Sequence, residues 1–581
     1  MSMFGVPEPP PNPPPAPPAF EPPTSVSGGD AAPEDHEDRG GHSKVFRAAA
    51  AGGIAVLVAG GVAAAVLAFG LIRGSADSMV TFAPSDTAAY VNLDLSPSVG
   101  QQLALNDILG KFPGLAGSSR DATINHWLDS AFQPSGLSHT DVRSWLGSQL
   151  SVLVLKSSDS ATPAEVSLLA STNDTGAQAM FAKYKSGPSG KPLRWTTATY
   201  DGVTVSAGED SSLGSQVWAI TGHTVIVGTS EAAVDEVIDT SQGKHANLTS
   251  QTDYTAVQAR IPSDRIAFLY LDIPRLGALI PSAASAGTTT ALRGYQGVGE
   301  AVVAASAGIT VSGTIDFDAA KLSAAARATL GIAAHTNGAL AYVPEGAFGF
   351  FTLVGLPQML KSLVSLAIPG LGATGGQALD QLGITGSSGI VTHLTGDAGI
   401  EVEQLPGAHV PSGALLIATD ATGAAQTFLD QLATTICAAA HGCGSPAATR
   451  QTYHGVTVST IAIAGADSSE ISPSWAVDNG WAIIASTPAE VRAVIDAKRG
   501  NNITTSPQYR AVAGQVGSSN NGMFYLNVQT LVAAVRAILP AADRATFDQQ
   551  VTPYLTPVQA IGSSTHSFSD HVATSEFVLI R

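Results

Sequence analysis

Thr199-Tyr200-Asp201-Gly202-Val203-Thr204-Val205-Ser206 returns as Thr452-Tyr453-His454-Gly455-Val456-Thr457-Val458-Ser459. A β-rich run broken at Asp-Gly predicts a strand that turns back on itself. Its recurrence predicts that the surrounding unit is written twice. Working outward, Ser171–Phe181 (STNDTGAQAMF) matches Ala418–Phe428 (ATDATGAAQTF), and Glu231–Asp239 (EAAVDEVID) matches Pro488–Asp496 (PAEVRAVID). Thr87-Ala88-Ala89-Tyr90-Val91 matches Ala339-Leu340-Ala341-Tyr342-Val343, and Phe112-Pro113-Gly114-Leu115 matches Ile368-Pro369-Gly370-Leu371. Phe268-Leu269-Tyr270-Leu271-Asp272 matches Met523 to Asn527. The order is kept and the offset stays near 250 residues, about the size of a domain.

Each copy reads as strands joined by hairpins with helices laid across. Asp174 or Thr175 is expected to cap a helix to about Lys185, and Ser230 to cap a helix over 231–240. Gln216–Thr221 and Thr224–Thr229 read as a hairpin, as do Val302–Ala307 and Thr310–Phe317; Val572–Ile580 is a last strand tied into a sheet. Short helices at 101–110 and 123–132 complete the pattern. The expectation is an α+β fold: two repeated units, 79–330 and 335–581, each an antiparallel sheet covered by helices on one face.

Ahead of them, Ala48–Ile72 (AAAAGGIAVLVAGGVAAAVLAFGLI) holds no charge. A bilayer core needs roughly 20 apolar residues in helical form, so a single transmembrane helix is expected here. The competing readings are a cleaved signal peptide, which the 47 preceding residues oppose, and a core helix, which the lack of a polar face opposes. Arg39, Lys44 and Arg47 precede it against Arg73 after it, so the expected topology is a cytoplasmic N-terminus and an extracytoplasmic remainder in the cell membrane. The tail, 1–47, carries PEPPPNPPPAPPAFEPP at 7–23 and is expected to be disordered. It reads as a solvated spacer or a docking segment.

The net charge is −18, of which seven acids and four bases in residues 1–73 account for −3. The acidic remainder does not suit nucleic acid, which attracts Lys and Arg clusters. The expected partners are the bilayer and a lipid or another envelope protein.

From Phe181 to Tyr200 is 19 residues, and from Phe428 to Tyr453 is 25. The six extra residues fall where Cys437 and Cys443, the two cysteines of the chain, occur. Outside the cytoplasm they are expected to form a disulfide. His441 between them invites a metal reading, C-x3-H-x-C, but three ligands without a fourth make a weak pattern. No metal or other cofactor is expected.

Phe348–Leu371 (FGFFTLVGLPQMLKSLVSLAIPGL) is nearly all apolar. Pro357, Lys361 and Pro369 interrupt it, against a second span. It reads as a strand and a core helix, or as the wall of an apolar-ligand pocket built from Phe348, Phe350, Phe351, Leu356, Met359 and Leu360.

Catalytic constellations are absent. Ser563, His566, Asp570 and His571 crowd one expected strand, where alternation would send Asp570 and His571 to opposite faces. Gly386-Ser387-Ser388-Gly389 lacks the spacing of a nucleophile elbow. Asn173, Asn247 and Asn502 fit the N-glycosylation pattern but serve equally as helix caps. Scattered carboxylates such as Asp272, Glu300 and Asp316 could assemble a site, although Asn527 stands opposite Asp272 in the second copy.

Pro84-Ser85-Asp86 before Ala89-Tyr90-Val91, the Phe112-Pro113-Gly114 step, Ser144-Trp145-Leu146-Gly147 and the Trp218–Thr229 hairpin resemble a bacterial family of single-span membrane proteins catalogued as a domain of unknown function. The resemblance covers 79–581; the second copy departs from it with Leu394-Thr395-Gly396. It implies the layout of tail, span and extracytoplasmic region, and transfers no catalytic residue. The functional expectation is a membrane-anchored, non-enzymatic binding or interaction protein, with a carrier or sensor of a lipid or other apolar molecule as the alternative and an enzyme as the third reading.

Overall fold

In the computed structural model, the duplicated octapeptide is a tight hairpin in both places. Asp201 and Gly202 take φ of 48° and 79°, and His454 and Gly455 take 49° and 83°. Two successive left-handed residues make the turn whose twist matches paired strands. The structure describes residues 77–581 apart from 118–121, 123, 124, 127, 131–135, 157–162, 187–193, 211–213, 280–291, 366–388, 441, 442 and 464–471. The proline-rich tail, the apolar stretch 48–72, the Ile368–Leu371 step, Ser387 and His441 lie outside the described residues, as does part of the helix expected at 123–132.

The first ten strands are β1 Ala89–Asp94, β2 Leu146–Leu155, β3 Ala164–Ser171, β4 Trp195–Tyr200, β5 Val203–Asp210, β6 Gly214–Thr221, β7 Thr224–Gly228, β8 Ala267–Asp272, β9 Tyr295–Ala305 and β10 Gly308–Phe317. The second ten are β11 Gly349–Leu353, β12 Leu394–Glu403, β13 Ser412–Thr419, β14 Cys443–Tyr453, β15 Val456–Ile463, β16 Ser474–Asp478, β17 Trp481–Ala485, β18 Gly522–Asn527, β19 Val558–Ser567 and β20 His571–Ile580. All twenty belong to one antiparallel sheet. Neighbour by neighbour it runs β4-β5-β6-β7-β3-β2-β1-β8-β9-β10. It continues through β20-β19-β18-β11-β12-β13-β17-β16-β15-β14. Adding ten to each label of the first half gives the second half in mirror order about the β10–β20 seam.

That seam corrects the expected architecture. The two units do not carry separate sheets. β10 and β20, each the last strand of its half, pair from Gly308↔Leu579 to Asp316↔His571 with Ser312 opposite Ser575. An unpaired edge is a row of free donors and acceptors, and here each edge satisfies the other. The expectation of one covered face is also corrected. Ala301 belongs to one core and its neighbour Val302 to another, so adjacent residues of β9 are buried on opposite faces. The expected transmembrane helix finds no counterpart: among the described residues, no helix is long and apolar enough to cross a membrane.

On one face lie α3 (Glu231–Ser241) and α4 (Thr252–Arg260) of the first half, and α7 (Pro488–Ala497) and α8 (Pro507–Val516) of the second. Their Val234, Val237, Val257, Val491, Val494 and Val512 pack on Tyr90, Tyr270, Phe350 and Tyr525 of the sheet. The other face receives α1 (Val99–Leu109), α2 (Asp174–Lys185), α5 (Leu356–Ser365) and α6 (Thr422–Ala440). Ser230 caps α3 as expected, accepting from the Ala233 N–H at 3.3 Å. The cap of α2 is Asn173, one residue earlier than expected, accepting from Gly176 at 3.1 Å.

Candidate functional site

The apolar run beginning at Phe348 divides between two environments. Adjacent strand residues point to opposite faces. Phe350 therefore enters the core shared with α8 and stacks on Tyr525, ring centroids 5.4 Å apart, while Phe351 emerges on the other face. Phe348 is buried as well. Gly355 then turns the chain from β11 into α5 at φ 80°; a Cβ there would strike Ile332.

On the face of Phe351 the sheet encloses a cavity of about 370 Å³. Leu353, Leu356, Met359 and Leu360 wall one side, and Ile390, Val391 and Leu394 another. β12 and β13 supply the floor through Ala398, Ile400, Leu415 and Ile417. α6 and β17 close the far side with Ala425, Phe428, Leu429, Ala482 and Ile484. Thr419 brings the single hydroxyl among the lining residues. Phe351 and Ile400, cross-strand partners, remain about half exposed at the mouth, and Phe524, the other partner of Phe351, continues the row.

Of the six residues expected to wall a pocket, Phe351, Leu356, Met359 and Leu360 do so; Phe348 and Phe350 face away from it. The contributions of β13, α6 and β17 come from far downstream, as far as Ile484 for a run that begins at Phe348, and only the strand order brings them here. On α6, Ala425, Leu429, Ala433 and Cys437 form one buried stripe at every fourth position. Cys437 is disulfide-bonded.

The first half fills the same place. Register equates Leu150 with Ala398, since they face Leu169 and Ile417 at matching positions, and Val225 with Ala482. Trp145 corresponds to His393: the Thr172 N–H donates to the Trp145 carbonyl at 2.8 Å and the Asp420 N–H to that of His393 at 3.0 Å. Trp145 is buried in a cluster with Met180, Tyr184 and Val225. Phe181 stacks on Trp218 at 4.4 Å and meets Trp195 edge-on at 5.1 Å. In the second half His393 turns outward to Asp420 at 3.3 Å, and Trp475, the match of Trp218, donates to Asp430 at 3.1 Å. Three bulkier positions, Leu150, Val225 and Trp145, thus become Ala398, Ala482 and an outward histidine, which leaves the cavity.

The other candidates disperse. Ser563 and His566 stand three residues apart on β19 and point to opposite faces. Asp570 and His571 do meet, at 2.8 Å, contrary to expectation, because Asp570 precedes β20 and alternation does not govern it. Asp570 also accepts from Arg260 at 2.7 Å; the His571 contact first, and then the Arg260 charge, hold its carboxyl below the usual range. Asp272 is paired with Arg275 and Asp316 with Arg260. Glu300 lies on the opposite face; burial, and then the charge of Glu576, push it up to about 7. Among the described residues, no group of three or more His, Cys, Asp and Glu could hold a metal ion.

The model of a protein family described as Protein of unknown function (DUF3352) matches residues 49–579, so the chain belongs to that family. No curated protein matches it. Among solved structures, crystal form III of TP0453 is similar at a TM-score of 0.23 and 10% identity, covering 43% of this chain and 83% of that one. Crystal form I of TP0453 is similar at 0.22 and 9%, covering 43% and 82%. At those scores nothing is carried over from either.

Proposed function

We propose that this member of a family of unknown function is a non-enzymatic binding protein of the bacterial envelope, tethered through its apolar stretch 48–72, whose second half takes up the acyl chain of a lipid or a similarly apolar molecule. The observation that carries this reading is the cavity of about 370 Å³ with its apolar wall. Small-molecule sites are typically clefts of about 300–1,000 Å³ lined by apolar side chains. A ligand here would be held by burial alone, at about 25 cal/mol per Å² of apolar surface removed from water. Polar groups in the wall are too few to orient a reaction, and the carboxylates Asp272 and Asp316 are each committed to an arginine. The exposed row Phe351, Ile400 and Phe524 suits a chain longer than the cavity.

In this reading the two halves descend from one duplicated unit. The first keeps its aromatic filling and acts as scaffold; the second has shed bulk and gained a site. Native mass spectrometry of the chain purified from its own envelope tests this. A bound mass of lipid size, lost on organic extraction and absent in an Ala482→Phe variant, is the expected result. A clean apoprotein mass would overturn it and turn the exposed row toward a protein partner.

A further inference from the structure

The strand that floors the cavity carries something different on its reverse side. Ile400 points into the cavity, so Glu401 and Glu403 project from the opposite face of β12, where α7 packs. Glu490 meets them from the first turn of α7, which Thr487 caps by accepting from the Glu490 N–H at 3.1 Å. Glu401 and Glu490 have no exposed surface, and Glu403 has 7%. No hydrogen bond of good geometry ends on either oxygen of Glu401 or of Glu490, and the one donor directed at Glu401 is the Ala414 N–H. Glu490 is close enough to hydrogen-bond both glutamates of β12. An ionised carboxylate only accepts, so such a contact is a bond only while one partner carries a proton.

The first half shows what the fold itself asks for here. Leu153 faces Tyr90 as Glu401 faces Phe350, and Leu155 faces Ala164 as Glu403 faces Ser412. Ala233 follows the cap Ser230 as Glu490 follows Thr487. Leu153, Leu155 and Ala233 are all core residues. Three carboxyl groups in place of three apolar side chains have no packing rationale, and three carboxyls buried against one another with no cation beside them call for a bound proton.

Neighbouring charges do not neutralise the group. On and after α7, Arg492 donates to Gln451, Lys498 lies over the Tyr342 ring, and Arg499 donates to the carbonyls of Ile495 and His454. On β12, Asp397 is held by His335 and the Gly338 N–H. Asp478, at the end of β16, accepts from Asn479. β11, β13 and β17 bring Phe350, Ala414 and Ala485 to this core.

We propose that Glu401, Glu403 and Glu490 form a proton-operated latch between β12 and α7, closed while the carboxyls share protons and opened when they ionise together. Burial raises all three above the ordinary carboxylate range, Glu403 to about 8. The latch is tightest in acid and loosens progressively as pH rises from the ordinary carboxylate range to that value. It works whether or not the cavity is occupied.

Hydrogen exchange of the full-length chain at pH 6 and pH 9, corrected for intrinsic rate, tests it. Protection of peptides covering β12 and α7 should fall by about tenfold or more at pH 9, because opening that releases one proton becomes about tenfold easier with each pH unit between the open-state value and the closed-state value and then levels off. Peptides covering β2 and α3 should not change. The variant E401L/E403L/E490A, which copies the first half, should abolish the fall; should it not fold, E403Q and E490Q should each reduce it. An equal loss in both halves, or a loss that survives these substitutions, would overturn the proposal.

Discussion

The two halves of the sheet share a strand order and differ in what they bury. On one face the first half packs Trp145 and the stacked pair Phe181 and Trp218 where the second has a cavity. On the other, the first buries Leu153, Leu155 and Ala233 where the second buries three glutamates. Both departures sit on the two sides of β12. A frame of paired strands tolerates them because its backbone hydrogen bonds do not depend on side chains, whereas packing density does. One half can therefore hold the architecture while the other departs from the densest core.

This contrast can be broken at its strongest point. Trp145→Ala empties the filled site and should cost about 3–5 kcal/mol of stability by denaturant unfolding, as for other buried aromatic truncations. His393→Ala, at the matching position, should change stability by about 0.5 kcal/mol at most, because its side chain is turned outward. Equal costs would show that the second half is packed through His393 after all.

The glutamates give the next effect. In the folded chain their pKa values are raised, Glu403 to about 8, so the native state keeps protons that the unfolded chain, with ordinary carboxyls near 4.5, has released. Stability is then highest below the unfolded value and is lost as pH rises toward about 8. The melting temperature of the wild type should fall across that window and that of E401L/E403L/E490A should stay flat. A wild-type midpoint that rises with pH would contradict the sign.

Exchanging a single residue sharpens the comparison further. Val225→Ala should destabilise by about 1.5 kcal/mol, two methylene equivalents at about 0.8 each. Ala482→Val, the reverse graft, should stabilise by up to about 1 kcal/mol while weakening uptake of an apolar probe. The smallest effect is a control for shared design. Ser230→Ala and Thr487→Ala each remove a helix cap of the same geometry and should each cost about 1 kcal/mol.

Much of the strand pattern could be read from residues. The Asp201-Gly202 turn, the Gln216–Gly228 hairpin and the final strand follow from alternation and turn chemistry, which are local. The β10–β20 seam could not, since edge pairing between distant segments leaves no mark on either strand. The cavity was half legible. Phe351, Leu356, Met359 and Leu360 stand in one apolar run, yet alternation, applied to Phe350 and Phe351, would already have sent one of them away. Ala398, Ala425 and Ala482 are silent in a sequence so rich in alanine; only their register against Leu150, Ala177 and Val225 marks two of them as lost bulk. Glu401 and Glu403 are visible as two acids on an apolar strand, which the matched pair Leu153 and Leu155 would have exposed as anomalous.

Photo-crosslinking with a diazirine-bearing fatty acid, mapped by peptide mass spectrometry on the full-length chain, tests the central asymmetry most directly. Label that saturates, is displaced by unmodified fatty acid, and falls on Leu356–Leu360, Ile390–Val391 and Phe428–Leu429 is the result this account requires. Label spread equally over the matching segments of the first half, or no saturable label at all, would contradict it.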